Sequence, residues 1–176
     1  MSIDVSIIET ERLIIRPWQE NDAVELYEMC LDPEITHCGL SSYSSVEESL
    51  NVIRQQQETN EILAIVHKDS KQLIGYIGLS DMNRYSGYKE LNYVISSEYR
   101  NQGYATEALK RMLAYAFDEL NLSVVSAWVR SHNIKCVRVL EKCGFAYEGT
   151  LRKHARDKSD TLCYSILKED WRLDIT

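Results

Sequence analysis

Three extended runs lie in succession in this chain: "EILAIVHK" at 61–68, "KQLIGYIGLSDM" at 71–82 and "GYKELNYVIS" at 87–96. Only Asp69-Ser70, a turn pair, parts the first two, so they read as an antiparallel hairpin. The pattern then changes. Ala105, Ala108, Leu109, Met112, Ala116, Phe117 and Leu120 recur at three- and four-residue steps, the stripe of a helix with one buried face. A further apolar run, "LSVVSAWV" at 122–129, follows it. A strand, a crossover helix and a strand demand a parallel pair, whereas tight hairpins demand antiparallel ones. The two together predict a mixed, mostly antiparallel sheet with helices on both faces, an α+β domain.

The flanks fit that scheme. "SIIETERLIIRPW" reads as a first strand that stops at Pro17. Asp22 and Glu25 have capping-box spacing for a helix that ends before Asp32-Pro33, with "ITHCGLSSYS" as loop. Ser45 and Glu48 repeat that spacing for a second helix through Leu50 and Ile53. Asn133 is placed to cap a short helix, and Gly144-Phe145 to end it as a Schellman motif. "FAYEGTLRKHA" and "TLCYSILKEDW" read as a closing hairpin around "RDKSD". With 176 residues and neither linker nor repeat, residues 1–176 are expected to form a single domain.

Charge and cysteine usage narrow the function. The net charge of −7 argues against a nonspecific nucleic-acid binder and suits a cationic partner. No apolar run is long enough for a bilayer-spanning helix, so no membrane partner is expected. "MSIDVSIIETERL" has acids where a secretory signal has lysines, and the expected location is cytoplasmic. Cys30, Cys38, Cys136, Cys143 and Cys163 are odd in number and lack metal-ligand spacing, so neither a disulfide framework nor a metal site is expected.

The loop "SSEYRNQGYAT" between a strand and the striped helix carries the chemistry. The first turn of a helix offers unpaired N–H donors and the positive end of the helix dipole, a setting for an anion. Gly103 removes a side chain there, Ala105 is small, Thr106 adds a hydroxyl and Arg100 adds a charge. On residue types alone, Gly103 either lets the chain turn or lets a phosphate approach. The chain has no GxxxxGK[ST] loop, and Gly75 and Gly78 lie within a strand rather than opening a helix.

"YRNQGYATEAL" at 99–109 resembles the acetyl-CoA-binding motif R/Q-x-x-G-x-G/A of the GNAT superfamily of N-acetyltransferases. "ETERLIIRPW" at 9–18, "DPEI" at 32–35, "NIKCVRVLEKCGF" at 133–145 and "EGTLRKHARDKSD" at 148–160 are similar to its RimJ/RimL ribosomal-protein branch, in the same order and over nearly the whole chain. The resemblance implies a sheet of about seven strands whose fourth ("LNYVIS") and fifth ("LSVVSAWV") splay apart to admit the pantetheine arm. It implies that Val94, Ile95 and Ser96 offer backbone groups to pantetheine. Arg100, Asn101, Gln102, Gly103, Tyr104, Ala105 and Thr106 would hold the pyrophosphate, with Asn133 beside the arm and Lys142 reaching the outer phosphates.

The implied reaction is attack of a primary amine on acetyl-CoA. The acceptor would be a protein N-terminus or a small amine, and the protein a monomer or homodimer. A module that binds acyl-CoA without turnover is the alternative outside catalysis. The amine needs a base and the carbonyl oxygen needs an N–H near Ile95 or Ser96. Glu90 is the candidate base, or else a solvated carboxylate beside Lys89. His154, near the acceptor side, is a second candidate. Many members place a tyrosine seven residues past the asparagine, to protonate the thiolate; here that position is Leu140. RimL-type members have a serine three past it; here it is Cys136, a substitute donor or a small apolar helix residue. The acid of that branch is replaced by Ala155.

Overall fold

The computed structural model of the chain describes residues 7–37 and 40–173. Cys38 and Gly39 lie outside them. The described strands are β1 (Ile8–Glu9), β2 (Leu13–Arg16), β3 (Ile62–His67), β4 (Leu73–Asp81), β5 (Tyr88–Ile95), β6 (Val124–Arg130), β7 (Ala146–Leu151) and β8 (Thr161–Leu167). The helices are α1 (Ala23–Cys30), α2 (Pro33–His37), α3 (Val46–Thr59), α4 (Tyr104–Ala114), α5 (Ile134–Lys142) and α6 (Lys168–Leu173). The α+β mixed sheet is as expected. Its count is eight strands rather than about seven among the described residues, because the first run folds back on itself. The expected fourth and fifth strands are therefore β5 and β6.

The chain divides into two compact units. One holds Met1–Gly78 and Tyr93–Ala108, the other Leu79–Asn92 and Leu109–Thr176. In the first, β1 pairs with β2, β2 with β3 and β3 with β4, all antiparallel. Trp18, Leu26, Met29, Cys30, Ile35 and Ile53 pack with Ala64, Leu73 and Val94 of the strands in one buried cluster. Each large aliphatic side chain so covered contributes about 1.5–3 kcal/mol. Ser45 caps α3 as expected, accepting from Glu48 N at 3.2 Å. Glu48 turns back to Ser44 N at 2.6 Å, one residue earlier than a regular box.

The expected box at Asp22 is shifted. Asp22 accepts from Gln19 N at 2.8 Å and pairs with Arg16, closing a 3₁₀ turn ahead of α1. Glu25 accepts from Leu73 N at 2.8 Å instead. Pro33 starts α2 rather than merely ending α1, since proline is well suited to a first helical position. The loop expected at 35–44 is thus helical through His37.

In the second unit, β5 pairs parallel with β6, and β6 and β7 pair antiparallel with β8. The β5–β6 ladder covers only Tyr88–Glu90 against Val124–Ser126, while β6 continues to Arg130 along β8. Val125 and Ala127 face Ile166 and Tyr164 across β8 and are buried. α5 ends as a Schellman motif, with Phe145 N on Leu140 O at 3.1 Å and Gly144 at φ +90°. The run expected to remain a strand to Trp171 instead turns helical at Lys168, where Glu169 and Asp170 favour a helix start. Among the described residues, no helix is long and apolar enough to cross a membrane.

Candidate active site

In the first unit, the turn after β5 prepares the start of α4. Asn101 and Gly103 both have positive φ, +60° and +81°, on either side of Gln102. Gly103 O accepts from Glu107 N at 3.0 Å, so Glu107 donates the first bond of the α4 ladder. The N–H groups of Tyr104, Ala105 and Thr106 precede that bond and are the donors a helix leaves open. Asn101, Gln102 and Gly103 are exposed, whereas Tyr104 is buried. A Cβ on Gly103 would stand 3.3 Å from an Arg12 guanidinium nitrogen. The turn has the features that suit an anion: open donors, a positive dipole end, a glycine without a side chain and a guanidinium beside it.

Arg12 and Glu107 organise this turn, and sequence reading gave neither a role. Arg12 Nε donates to Glu107 Oε2 at 2.7 Å, its backbone N to Oε1 at 2.9 Å, and Nη1 to Gln102 O at 2.9 Å. Thr10 Oγ1 adds a bond to Glu107 at 2.6 Å. The guanidinium also lies 4.3 Å from the Tyr104 ring centroid, a cation–π distance. Burial opposes ionisation of Glu107, but the bonds from Thr10 and Arg12, with the charge of Arg12, hold its carboxyl below the usual range. Tyr104 is fixed from its far end by His67, whose Nε2 lies 3.1 Å from the hydroxyl. The signal was present in the sequence: Glu107 falls in the first turn of the striped helix, and Arg12 of "ETERL" is a cation that can pair with it.

Arg100, expected at the pyrophosphate, is engaged by the protein itself. Its Nη1 pairs with Glu34 of α2 at 2.9 Å and its Nε donates to Ile95 O at 3.3 Å. Ser97 is hydrogen-bonded to Asp32, so the "DPEI" segment grips the end of β5 at two points. Of the three residues expected to face pantetheine, Ser96 N is committed to Ile74 O of β4 at 2.7 Å. The Val94 carbonyl stands 2.0 Å from where a Gly75 Cβ would be, so it too faces β4 and explains that glycine. Strand backbone groups alternate in direction, which leaves Ile95 to turn its own away from β4. Ser96 N–H is therefore taken up by β4, whereas the Ile95 N–H points to the other side of the strand.

In the second unit, Glu90 stands opposite Ser126 of β6 and is half-buried. Burial alone pushes its carboxyl above the usual range, so it takes up a proton more readily than an exposed carboxylate. Cys136 sits half-buried in the first turn of α5, its N donating to Asn133 Oδ1 at 3.3 Å. Leu140 is core, 1% exposed, and Lys142 is exposed at the end of α5. The buried Tyr164 phenol bonds Glu141 of α5 at 3.4 Å; burial first, then Glu141, and after it Tyr147 and Cys136, raise its pKa. His154 is not on a strand. It lies in the exposed β7–β8 loop, 3.1 Å from Thr161 Oγ1 and edge-on to the Trp128 ring at 5.4 Å. Cys30, Cys136, Cys143 and Cys163 form no disulfide.

The sequence profile of the acetyltransferase (GNAT) domain matches residues 12–146. YoaA of Bacillus subtilis (strain 168), described as an uncharacterized N-acetyltransferase, is 32% identical over 92% of this chain and 97% of its own. The spermidine N-acetyltransferase from Vibrio cholerae, solved in complex with CoA and spermine, is similar in structure. Its TM-score is 0.80 at 25% identity, over 93% of this chain and 99% of its own. A ribosomal-protein-alanine acetyltransferase from Vibrio fischeri shares the fold with a TM-score of 0.81 at 22% identity, over 95% and 99% of the two chains.

Proposed function

This chain belongs to the GNAT acetyltransferase family, and we propose that it moves the acetyl group of acetyl-CoA directly to a primary amine in a ternary complex. The observation that carries the cofactor assignment is the exposed turn at Asn101–Gly103, which leads into an open helix start where Gly103 has no side chain of its own and the Arg12 guanidinium stands alongside. Acetyl-CoA supplies an acetyl group activated as a thioester. The backbone of Gln102–Thr106 would hold its pyrophosphate, and Ile95 its pantetheine arm. Asn133 and Lys142 are assigned beside the arm and the outer phosphates.

Glu90 is assigned to take the proton from the acceptor amine, because its half-buried carboxyl binds a proton more readily than an exposed one. Ile95 N–H is assigned to the carbonyl oxygen as it gains charge. Cys136 is assigned to give the departing thiolate its proton, as its half-buried thiol carries an S–H donor. His154, edge-on to the Trp128 ring, is assigned to the acceptor side.

Two acceptor classes fit this chemistry, a protein N-terminal α-amine and a small amine. The ribosomal-protein and spermidine enzymes among the solved structures illustrate both. Thiol release from acetyl-CoA, measured across a panel of peptides and small amines, tests the reading. Release with at least one amine is expected. Tight CoA binding without release by any amine would make this a binding module instead.

A further inference from the structure

One face of the sheet in the second unit carries a row of polar groups in register. Glu90 of β5 stands opposite Ser126 of β6, and Ser126 opposite Ser165 of β8. Glu148 extends the row, its Oε1 accepting from Ser165 Oγ at 2.5 Å. The next row on the same face is Trp128, Cys163 and Gly149.

Three features of this face call for an occupant. Among the described residues neither Glu90 nor Glu148 has a cationic partner, and the only cause that shifts Glu90 is burial. Between the carboxylates, Ser126 is 3% exposed and its hydroxyl has no hydrogen-bond partner. A buried polar group left so is costly and calls for a ligand group or water to satisfy it. Beside them, Trp128 is 39% exposed, and no heavy atom lies within 4 Å of where a Gly149 Cβ would be. Two negative groups, an unsatisfied hydroxyl, an exposed indole and free space above a glycine describe a receptor for positive charge on an alkyl chain.

We propose that this face binds a second cationic group of the acceptor, so that the preferred substrate is a diamine or longer polyamine. The inference rests on the assignment of Glu90 to the reacting amine. Neighbouring strands stand about 4.8 Å apart, so Glu90 and Ser165 are separated by about 10 Å across β6. One ammonium cannot serve both ends of that row. Two ammonium groups joined by a flexible alkyl chain serve it, with Ser126 beneath the chain and Trp128 beside it. An N-terminal peptide carries its single reacting charge at one end and leaves Glu148 unmatched.

The test uses the full chain with acetyl-CoA and three acceptors: butylamine, 1,4-diaminobutane and a lysine-free peptide with a free N-terminus. The expected kcat/KM is at least tenfold higher for the diamine than for butylamine, and Glu148→Gln reduces that ratio about tenfold. Calorimetric binding of 1,4-diaminobutane should weaken by a similar factor in Glu148→Gln. Equal kcat/KM for diamine and monoamine, or a preference for the peptide, overturns the subsite, as does a ratio unmoved by Glu148→Gln. If no amine releases thiol, the acetyl-transfer reading fails. Calorimetry still decides the subsite: diamine binding lost in Glu148→Gln supports it, and no binding to the unaltered protein overturns it.

Discussion

Arg12 meets Glu107 edge-on, with Nε on Oε2 at 2.7 Å and the Arg12 backbone N on Oε1 at 2.9 Å. The pair ties the strand hairpin at the start of the chain to the first turn of α4. An uncompensated acid in that turn would repel the phosphates that the helix start is meant to attract. Arg12→Gln is therefore expected to raise the KM for acetyl-CoA about fivefold, the equivalent of about 1 kcal/mol, with a smaller change in kcat. The double variant Arg12→Gln/Glu107→Gln should recover part of the affinity by removing the exposed charge. Steady-state kinetics at low and high salt check this, because repulsion is screened and lost packing is not. A double variant worse than the single one would refute the electrostatic account.

Gly103 answers to two constraints. Its φ of +81° costs a residue with a Cβ about 1–2 kcal/mol, and that Cβ would stand 3.3 Å from Arg12. Gly103→Val should thus weaken CoA binding at least tenfold, and Gly103→Ala less, since only the larger group fills the cradle. Equilibrium titration with CoA is the measurement. Unchanged affinity in Gly103→Val would remove the turn from the cofactor site.

Much of this arrangement was legible in the sequence, and the failures have local causes. The hairpins, the cap at Ser45, the cap at Asn133 and the Schellman end at Gly144 follow from short-range rules that tertiary contacts left alone. Asp22 broke its rule because Arg16 offered a bidentate partner at 2.8 Å, stronger than a cap. The first run split at Thr10–Glu11 because Thr10 bonds Leu13 across a tight turn, a choice that alternation alone does not encode. The ion pair of Arg100 with Glu34, 66 residues away in sequence, was not legible from its place in the motif. Spacing within a motif names residues; their partners come from distant segments.

Glu90 makes opposite predictions for stability and turnover. Burial raises its folded-state pKa above the unfolded value. Its contribution to stability is then fully present below the unfolded pKa and is lost as pH rises through the folded one. At pH 7 the ionised form is the penalised one. Glu90→Gln should therefore raise the melting temperature at pH 7 relative to the unaltered protein, and the difference should vanish near pH 4. The same variant should slow acetyl transfer most below the pKa of the amine, where the base is needed. Thermal unfolding across pH separates the first effect from the second. A variant that melts lower at pH 7 would mean that the Glu90 charge is stabilised by a partner.

Cys163 reports on the field over the same sheet face. Burial raises its thiol pKa first, and the charges of Glu90 and Glu148 raise it further. Only the thiolate reacts readily with an alkylating agent. Neutralising either acid lowers the pKa and increases the thiolate fraction at pH 8. Glu148→Gln is expected to speed alkylation of Cys163 by iodoacetamide on the order of threefold, with Glu90→Gln acting in the same direction. Cys143 serves as the internal reference, because burial raises its thiol to about 11 while lysines, not these acids, act on it. Mass spectrometry of the separate peptides gives both rates in one sample. Equal acceleration at both cysteines would point to general loosening of the fold, whereas acceleration confined to Cys163 shows that the two carboxylates act on one surface.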